Sequence, residues 1–254
     1  MKVILQILSL LLLTVSLSCS KKLQVGALEA ENIQVRSDHN DADHSLEYEL
    51  LDSIVTPYRD SMNESMNEVL ALAAVTMDMD QPESLLGNMV ADLMVEEFEE
   101  ATGITVDLAM TNAGGLRISA LDSGEITRGE IYELMPFDNT IVMATVDSAQ
   151  LTQLVEHSLR FGGWPVSKEI QIIQEAENVS ILIGGKPIIQ QQQYRVLVNN
   201  YMASGGSNCG FIRQWEKREY PFLLRDMIIE YLIEEQESGN RIRSELSSRV
   251  VQFE

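Results

Sequence analysis

The chain has 254 residues, 45% of them hydrophobic and 6% aromatic, enough to bury a sizeable core in one large domain or two small ones. Its formal net charge of −21 argues against general nucleic-acid binding, because such a surface repels phosphate backbones. Any anionic ligand must therefore meet a local positive or amide-rich spot. With only two cysteines, Cys19 and Cys209, no disulfide framework or cysteine-based zinc site is available.

Lys2 followed by the Leu-rich run Val3 to Leu17 has the form of a signal segment, too short for a comfortable membrane span. The Leu17-Ser18-Cys19 ending resembles a bacterial lipobox, which makes Cys19 the lipidated residue; a short anchor that is never cleaved is the alternative. The expected division is a signal peptide at 1–19, a polar tether at 20–45 and a domain at 46–254. His39 and His44 fall in the tether, beside Asp38, Asp41 and Asp43, and read as solvated residues.

A helix is expected from Leu46 to about Met66, with a break or kink near Thr56 imposed by Pro57. Val69 to Met77 leans towards strand. Pro82-Glu83-Ser84 opens a second helix with Leu85, Met89, Leu93, Met94 and Phe98 at helical spacing, and Gly103 is its C-cap. Ile104 to Met110 alternates as a strand, and Thr111 to Gly115 is a turn. Glu125 to Tyr132 reads as a turn and a short helical start, Asn139 to Val146 as a strand, and Ala149 to Leu159 as an amphipathic helix. Strands follow at Ile170 to Ile173, Val179 to Ile183 and Tyr194 to Asn199, with a hairpin turn at Gly184-Gly185. Tyr220 to Glu235 is the last long helix. Short strands mixed with long helices make an α+β or layered α/β domain.

A dinuclear metal hydrolase needs about five to seven His, Asp and Asn ligands brought together. Three histidines, no Asp-x-His or His-x-His spacing in the domain, no Gly-x-Ser-x-Gly elbow and no P-loop leave no self-contained catalytic centre in the sequence. His157, in the amphipathic helix, reads as a packing or surface residue.

Three loops have a different character. Asn112-Ala113-Gly114-Gly115-Leu116-Arg117 follows a strand; its glycines let backbone amides approach a ligand, and Asn112 and Arg117 bring directional donors. Tyr132 to Asn139 places Phe137 directly after Pro136. Asn199 to Ser207 places Tyr201 before Gly205-Gly206. Two loop aromatics can sandwich a flat heterocycle, although each alone could be a core plug.

Four motifs in order are similar to the C-terminal domain of the 5′-nucleotidase family. Glu83-Ser84-Leu85-Leu86-Gly87-Asn88-Met89-Val90-Ala91-Asp92 resembles its helix start, and Asn112 to Arg117 its Asn-x-Gly-Gly-x-Arg turn. Gly124 to Glu130 followed by Pro136-Phe137 resembles a third segment, and Tyr194-Arg195-Val196 through Ala203-Ser204-Gly205-Gly206 the ending. The resemblance runs from about residue 46 to the C-terminus. It implies a four-layer α/β/β/α domain of the α+β class, with Phe137 and Tyr201 stacking on a nucleobase and Asn112 and Arg117 on base or phosphate. Gly114, Gly115, Gly205, Gly206 and Ser207 complete the implied substrate-binding set. In that family two metal ions sit in a separate metallophosphatase domain. Metals are therefore expected on a partner chain and none here, with a nucleotide or nucleoside as ligand and membrane contact only through a lipid anchor. The alternative expectation is a non-catalytic binding lipoprotein. The sequence departs from the family in three places: no metallophosphatase domain is read in it, Thr76 to Pro82 carries Asp78 and Asp80 where the family places an arginine, and Ser207 stands where it has an aspartate, with two extra residues following.

Overall fold

The computed structural model describes residues 46–253. The expected signal peptide, Cys19, the tether and its two histidines lie outside them. Residues 52–253 form one compact unit, which holds everything described below except the first turns of one helix.

That helix, α1 (Leu46–Met66), passes through Pro57 without the expected break. Pro57 lies on an exposed stretch, where water can replace the missing ladder bond. Further along, α1 leaves an apolar stripe in solvent: Ile54, Val55, Tyr58 and Met62 are 47–73% exposed.

The domain that follows has two four-stranded sheets and two short ribbons. Strands β1 (Val69–Ala73) and β5 (Gly124–Thr127) pair antiparallel, as do β2 (Met77–Asp78) and β4 (Ala120–Leu121). The central sheet has the order β11-β6-β10-β3, built from β3 (Leu108–Ala109), β6 (Thr140–Asp147), β10 (Gln193–Asn199) and β11 (Glu216–Leu223). Only β10 and β3 run parallel in it. The second sheet is β12-β7-β8-β9, from β7 (Ile170–Glu175), β8 (Asn178–Ile183), β9 (Lys186–Pro187) and β12 (Val250–Phe253).

The central sheet is buried on both faces, which is why β6 reads as the nearly continuous apolar run Ile141-Val142-Met143-Ala144. Side chains alternate between two cores, as the pleat requires. Ile141, Leu197, Ala109 and Tyr220 join the core formed with α2 (Leu85–Thr102) and α6 (Leu224–Glu237). Val142, Ala144, Val196 and Val198 join the core formed with α4 (Ser148–Leu159) and the second sheet. This mixed α+β arrangement agrees with the expected fold class.

Element ends follow local chemistry. Ser84 caps α2 by accepting from the Gly87 amide, and Gly103 closes it in the left-handed region at φ 66°. Thr127 and Glu130 form a capping box on α3 (Arg128–Leu134). Further expectations change: Glu125 to Thr127 is the end of strand β5, not a turn. The stretch Ile104 to Met110 is strand only at Leu108 and Ala109, although the Asp107 and Met110 amides also donate to β10 carbonyls at 2.9 Å and Met110 forms an isolated bridge with Val166. Tyr220 to Leu223 belongs to β11, not to the last helix, which starts at Leu224. Pro221 fits there because β11 is an edge strand with an irregular register at that point.

The Glu83…Asn88…Asp92 motif is a clamp on the C-terminal segment. Glu83 accepts from the amides of Ser247 and Arg249 and from Asn88 Nδ2, at 2.8–2.9 Å. Arg249, 5% exposed, forks onto both Asp92 oxygens at 2.6 and 2.7 Å. Gly87 is required by packing, since a Cβ would lie 2.7 Å from Ser84 Oγ and 2.9 Å from a Pro165 ring carbon.

On the other flank of α2, burial, followed by the carboxylates Glu234, Glu100, Glu230 and Glu96, pushes the Glu97 carboxyl from 4.5 up to about 7. Between those two values the unfolded chain has released this proton and the folded one retains it. Stability contributed by protonated Glu97 is therefore complete below 4.5 and lost as pH rises to about 7. Glu97→Gln is expected to raise the urea unfolding midpoint at pH 8, with the gain shrinking at pH 5; an equal gain at both would contradict this assignment.

Candidate functional site

The three unusual loops meet. Asn112, Gly114, Gly115, Arg117, Phe137, Tyr201 and Ser207, together with Asn139, line one cleft of about 470 Å³, within the range of small-molecule sites. Gly205 and Gly206 do not contribute to the lining. The segment 76–82, with Asp78 and Asp80, does not contribute to the lining.

The floor is set by a buried amide relay. Asn199 ends β10 and caps α5 (Asn200–Ala203), its Oδ1 accepting from the Met202 amide at 2.8 Å. That bond fixes which way the Asn199 amide faces. Its Nδ2 then donates to Asn112 Oδ1 at 2.8 Å and to Thr111 Oγ1 at 3.0 Å. Asn112 must therefore present its oxygen inward, and its Nδ2 is left as a donor for the cleft that Asn112 lines. Neither Gly114 nor Gly115 has a positive φ, and the nearest atoms a Cβ at either would meet are those of the Asn112 side chain, at 3.5–3.8 Å. The fold tolerates alanine at both positions, so what the glycines supply is a low, bare backbone edge on the cleft.

Arg117 extends from this turn. Its Nη1 donates to the Gly114 carbonyl at 3.3 Å, and its guanidinium lies 6.0 Å from the Phe137 ring centroid. Phe137 is 47% exposed. Its loop is stitched by Arg225, a buried residue whose Nη2 donates to Asp138 at 2.7 Å and Nη1 to the Met135 carbonyl at 3.2 Å. The same guanidinium covers the Tyr132 ring at 4.4 Å.

Tyr201, 51% exposed, lies face-on over Gly206: a Cβ built there would stand 2.5 Å from three atoms of its ring. Gly205 is left-handed at φ 94° and backs onto Arg213, whose Nε donates to the Ser204 carbonyl at 2.8 Å. His157 is buried, as packing predicts, and it also reaches the cleft loop: its Nε2 is 2.8 Å from the Ser207 carbonyl.

The sequence reading missed Asn139 as a lining residue and Asn199, Arg225 and His157 as supports. Only Asn199 left a local signal, the Asn-Asn pair at a strand end before Tyr201. No His, Cys, Asp or Glu cluster among the described residues is arranged to hold a metal ion. None of the described helices is long and apolar enough to cross a membrane.

A half-exposed aromatic pair, an oriented amide and a guanidinium beside a glycine edge are groups that can stack on and hydrogen-bond a flat, polar small molecule. Comparison with known proteins narrows the class. The family model "5′-nucleotidase, C-terminal domain" matches residues 66–215, and the chain belongs to that family. It is similar to the trifunctional nucleotide phosphoesterase protein YfkN of Bacillus subtilis, 29% identical over 170 residues, covering 59% of this chain and 11% of that protein. It is also similar to the "Probable 5′-nucleotidase" of Treponema pallidum, 30% identical over 141 residues, covering 48% and 24%. The crystal structure of a Thermus thermophilus 5′-nucleotidase precursor superposes with a TM-score of 0.67 at 24% identity, covering 81% of this chain and 42% of that one. The chain thus spans less than half the length of each of these relatives.

Proposed function

We propose that this chain is the nucleotide-recognition component of a split 5′-nucleotidase, acting with a separate metallophosphatase chain that carries the divalent metals. One observation carries the reading: the family's Asn-Gly-Gly-Arg turn and both half-exposed aromatics line a single cleft. Phe137 and Tyr201 would stack on the base, Asn112 Nδ2 would donate to it, and Arg117 would meet phosphate. The partner is supported by α1, whose exposed apolar stripe immediately precedes residue 66, where the family match begins. Export and lipid attachment at Cys19 belong to the same proposal.

Calorimetry with adenosine and AMP tests recognition. Both should bind, Phe137→Ala should weaken both by about 1–3 kcal/mol, and Arg117→Ala should weaken AMP more than adenosine. Absence of heat with either ligand would refute the proposal.

A second reading, a non-catalytic nucleoside-binding lipoprotein, is favoured by Ser207 standing where the family has an aspartate. The two separate on adding the chain to a metallophosphatase chain from the same genome. A rise in AMP hydrolysis supports the split enzyme, and unchanged hydrolysis with intact AMP binding supports the second reading.

A further inference from the structure

The loop bearing Tyr201 and Ser207 contains two consecutive residues in the left-handed region, Ser207 (φ 50°, ψ 34°) and Asn208 (φ 62°). A Cβ disfavours that region, and such a conformation persists only when its surroundings over-determine it. Within the loop, the Cys209 amide donates to the Gly206 carbonyl at 2.9 Å, and Cys209 Sγ lies 3.8 Å from the Ser207 carbonyl. From outside it, a single side chain among the described residues bonds the Ser207 carbonyl, and that is His157 of α4, with Nε2 at 2.8 Å.

A carbonyl can only accept, so Nε2 carries the hydrogen. The imidazole cannot swing away. It is wedged among Phe161, Trp164 and Phe211, with ring centroids 5.0, 5.4 and 5.2 Å distant. The buried N–H needs an acceptor, and the one it takes is the carbonyl of a left-handed residue next to Gly206, on which the Tyr201 ring rests.

We infer that His157 is a positioning residue of the cleft: its Nε2–H holds the Ser207 carbonyl and so fixes the turn beneath Tyr201. This rests on the cleft being the nucleotide site.

Two variants divide the roles of the ring and its donor. His157→Phe keeps a ring and removes the N–H; His157→Gln keeps an N–H and removes the ring. Amide hydrogen exchange at Cys209 reports the turn, amides in β10 report the fold, and calorimetry with AMP reports the site. In His157→Phe, Cys209 protection and AMP affinity should each fall about two- to tenfold, the range of one lost hydrogen bond, with β10 unchanged. His157→Gln should stay within about twofold of wild type on the same scale. The reverse order, or wild-type Cys209 protection in both variants, overturns the assignment even where AMP still binds. If wild type binds no AMP while Cys209 protection falls as expected, the nucleotide reading fails and the positioning role stands. Should His157→Phe not fold, His157→Gln decides alone: retained protection supports the hydrogen bond, and lost protection reduces His157 to packing.

Discussion

Gly206→Ala should weaken AMP binding nearly as much as Tyr201→Ala, by about 1–3 kcal/mol or about 5- to 150-fold. The reason is steric and confined to one contact. Gly206 does not have a positive φ, so alanine suits its backbone. The added Cβ would stand 2.5 Å from three Tyr201 ring atoms, which no pair of carbons tolerates. Those atoms are the far end of a flexible, half-exposed side chain, so the ring moves and the backbone need not. The stacking face is then lost at little cost to the fold, and the unfolding free energy should fall by under about 1 kcal/mol, as for a surface change. Calorimetry beside urea unfolding checks both halves. Wild-type affinity in Gly206→Ala would remove Tyr201 from the site.

This contact shows what local reading can and cannot reach. The cleft's own residues were legible because each sits in a short contiguous motif with its own chemistry: Asn112 to Arg117, Pro136-Phe137, and Tyr201 before two glycines. Glycine enrichment marked Gly206 without revealing that the Tyr201 ring rests on it. Supports were illegible because their partners are remote in sequence. Asn199 orients Asn112 from 87 residues away, Arg225 bridges the same span to Asp138, and His157 reaches Ser207 across 50. Periodicity located α2 and α4 because their apolar spacing is strong. It misplaced Tyr220 because an aromatic before Pro221 and an apolar run reads equally as a helix entry, and only pairing with Ile141 makes it strand. It overextended Ile104 to Met110 because alternation begins at Ile104, before the chain comes alongside β10 at Asp107.

Arg249→Leu is the change expected to cost most in stability, and its consequences can be followed partner by partner. Glu83 would remain served by Asn88 Nδ2 and two backbone amides, because the guanidinium is only 3.9 Å away and not a hydrogen-bond donor to it. Asp92 would lose both forked bonds and keep one, from the Lys168 amide at 2.8 Å. The Val166 carbonyl would lose its 2.9 Å donor. A largely buried carboxylate stripped of its cation costs about 3–5 kcal/mol, and a domain of this size loses roughly 2–4 °C in Tm per kcal/mol. Adding Asp92→Leu should return much of that loss, because the orphaned charge, not the missing attraction, is the main penalty. None of these residues lines the cleft, so AMP affinity measured below the transition should stay at the wild-type value. Gly206→Ala and Arg249→Leu therefore predict opposite patterns, one losing ligand and keeping the fold, the other losing stability and keeping ligand. A loss in Arg249→Leu of under about 1 kcal/mol, the range of an exposed pair, would mean that the Glu83–Asp92 motif does not hold the C-terminal strand β12 in place.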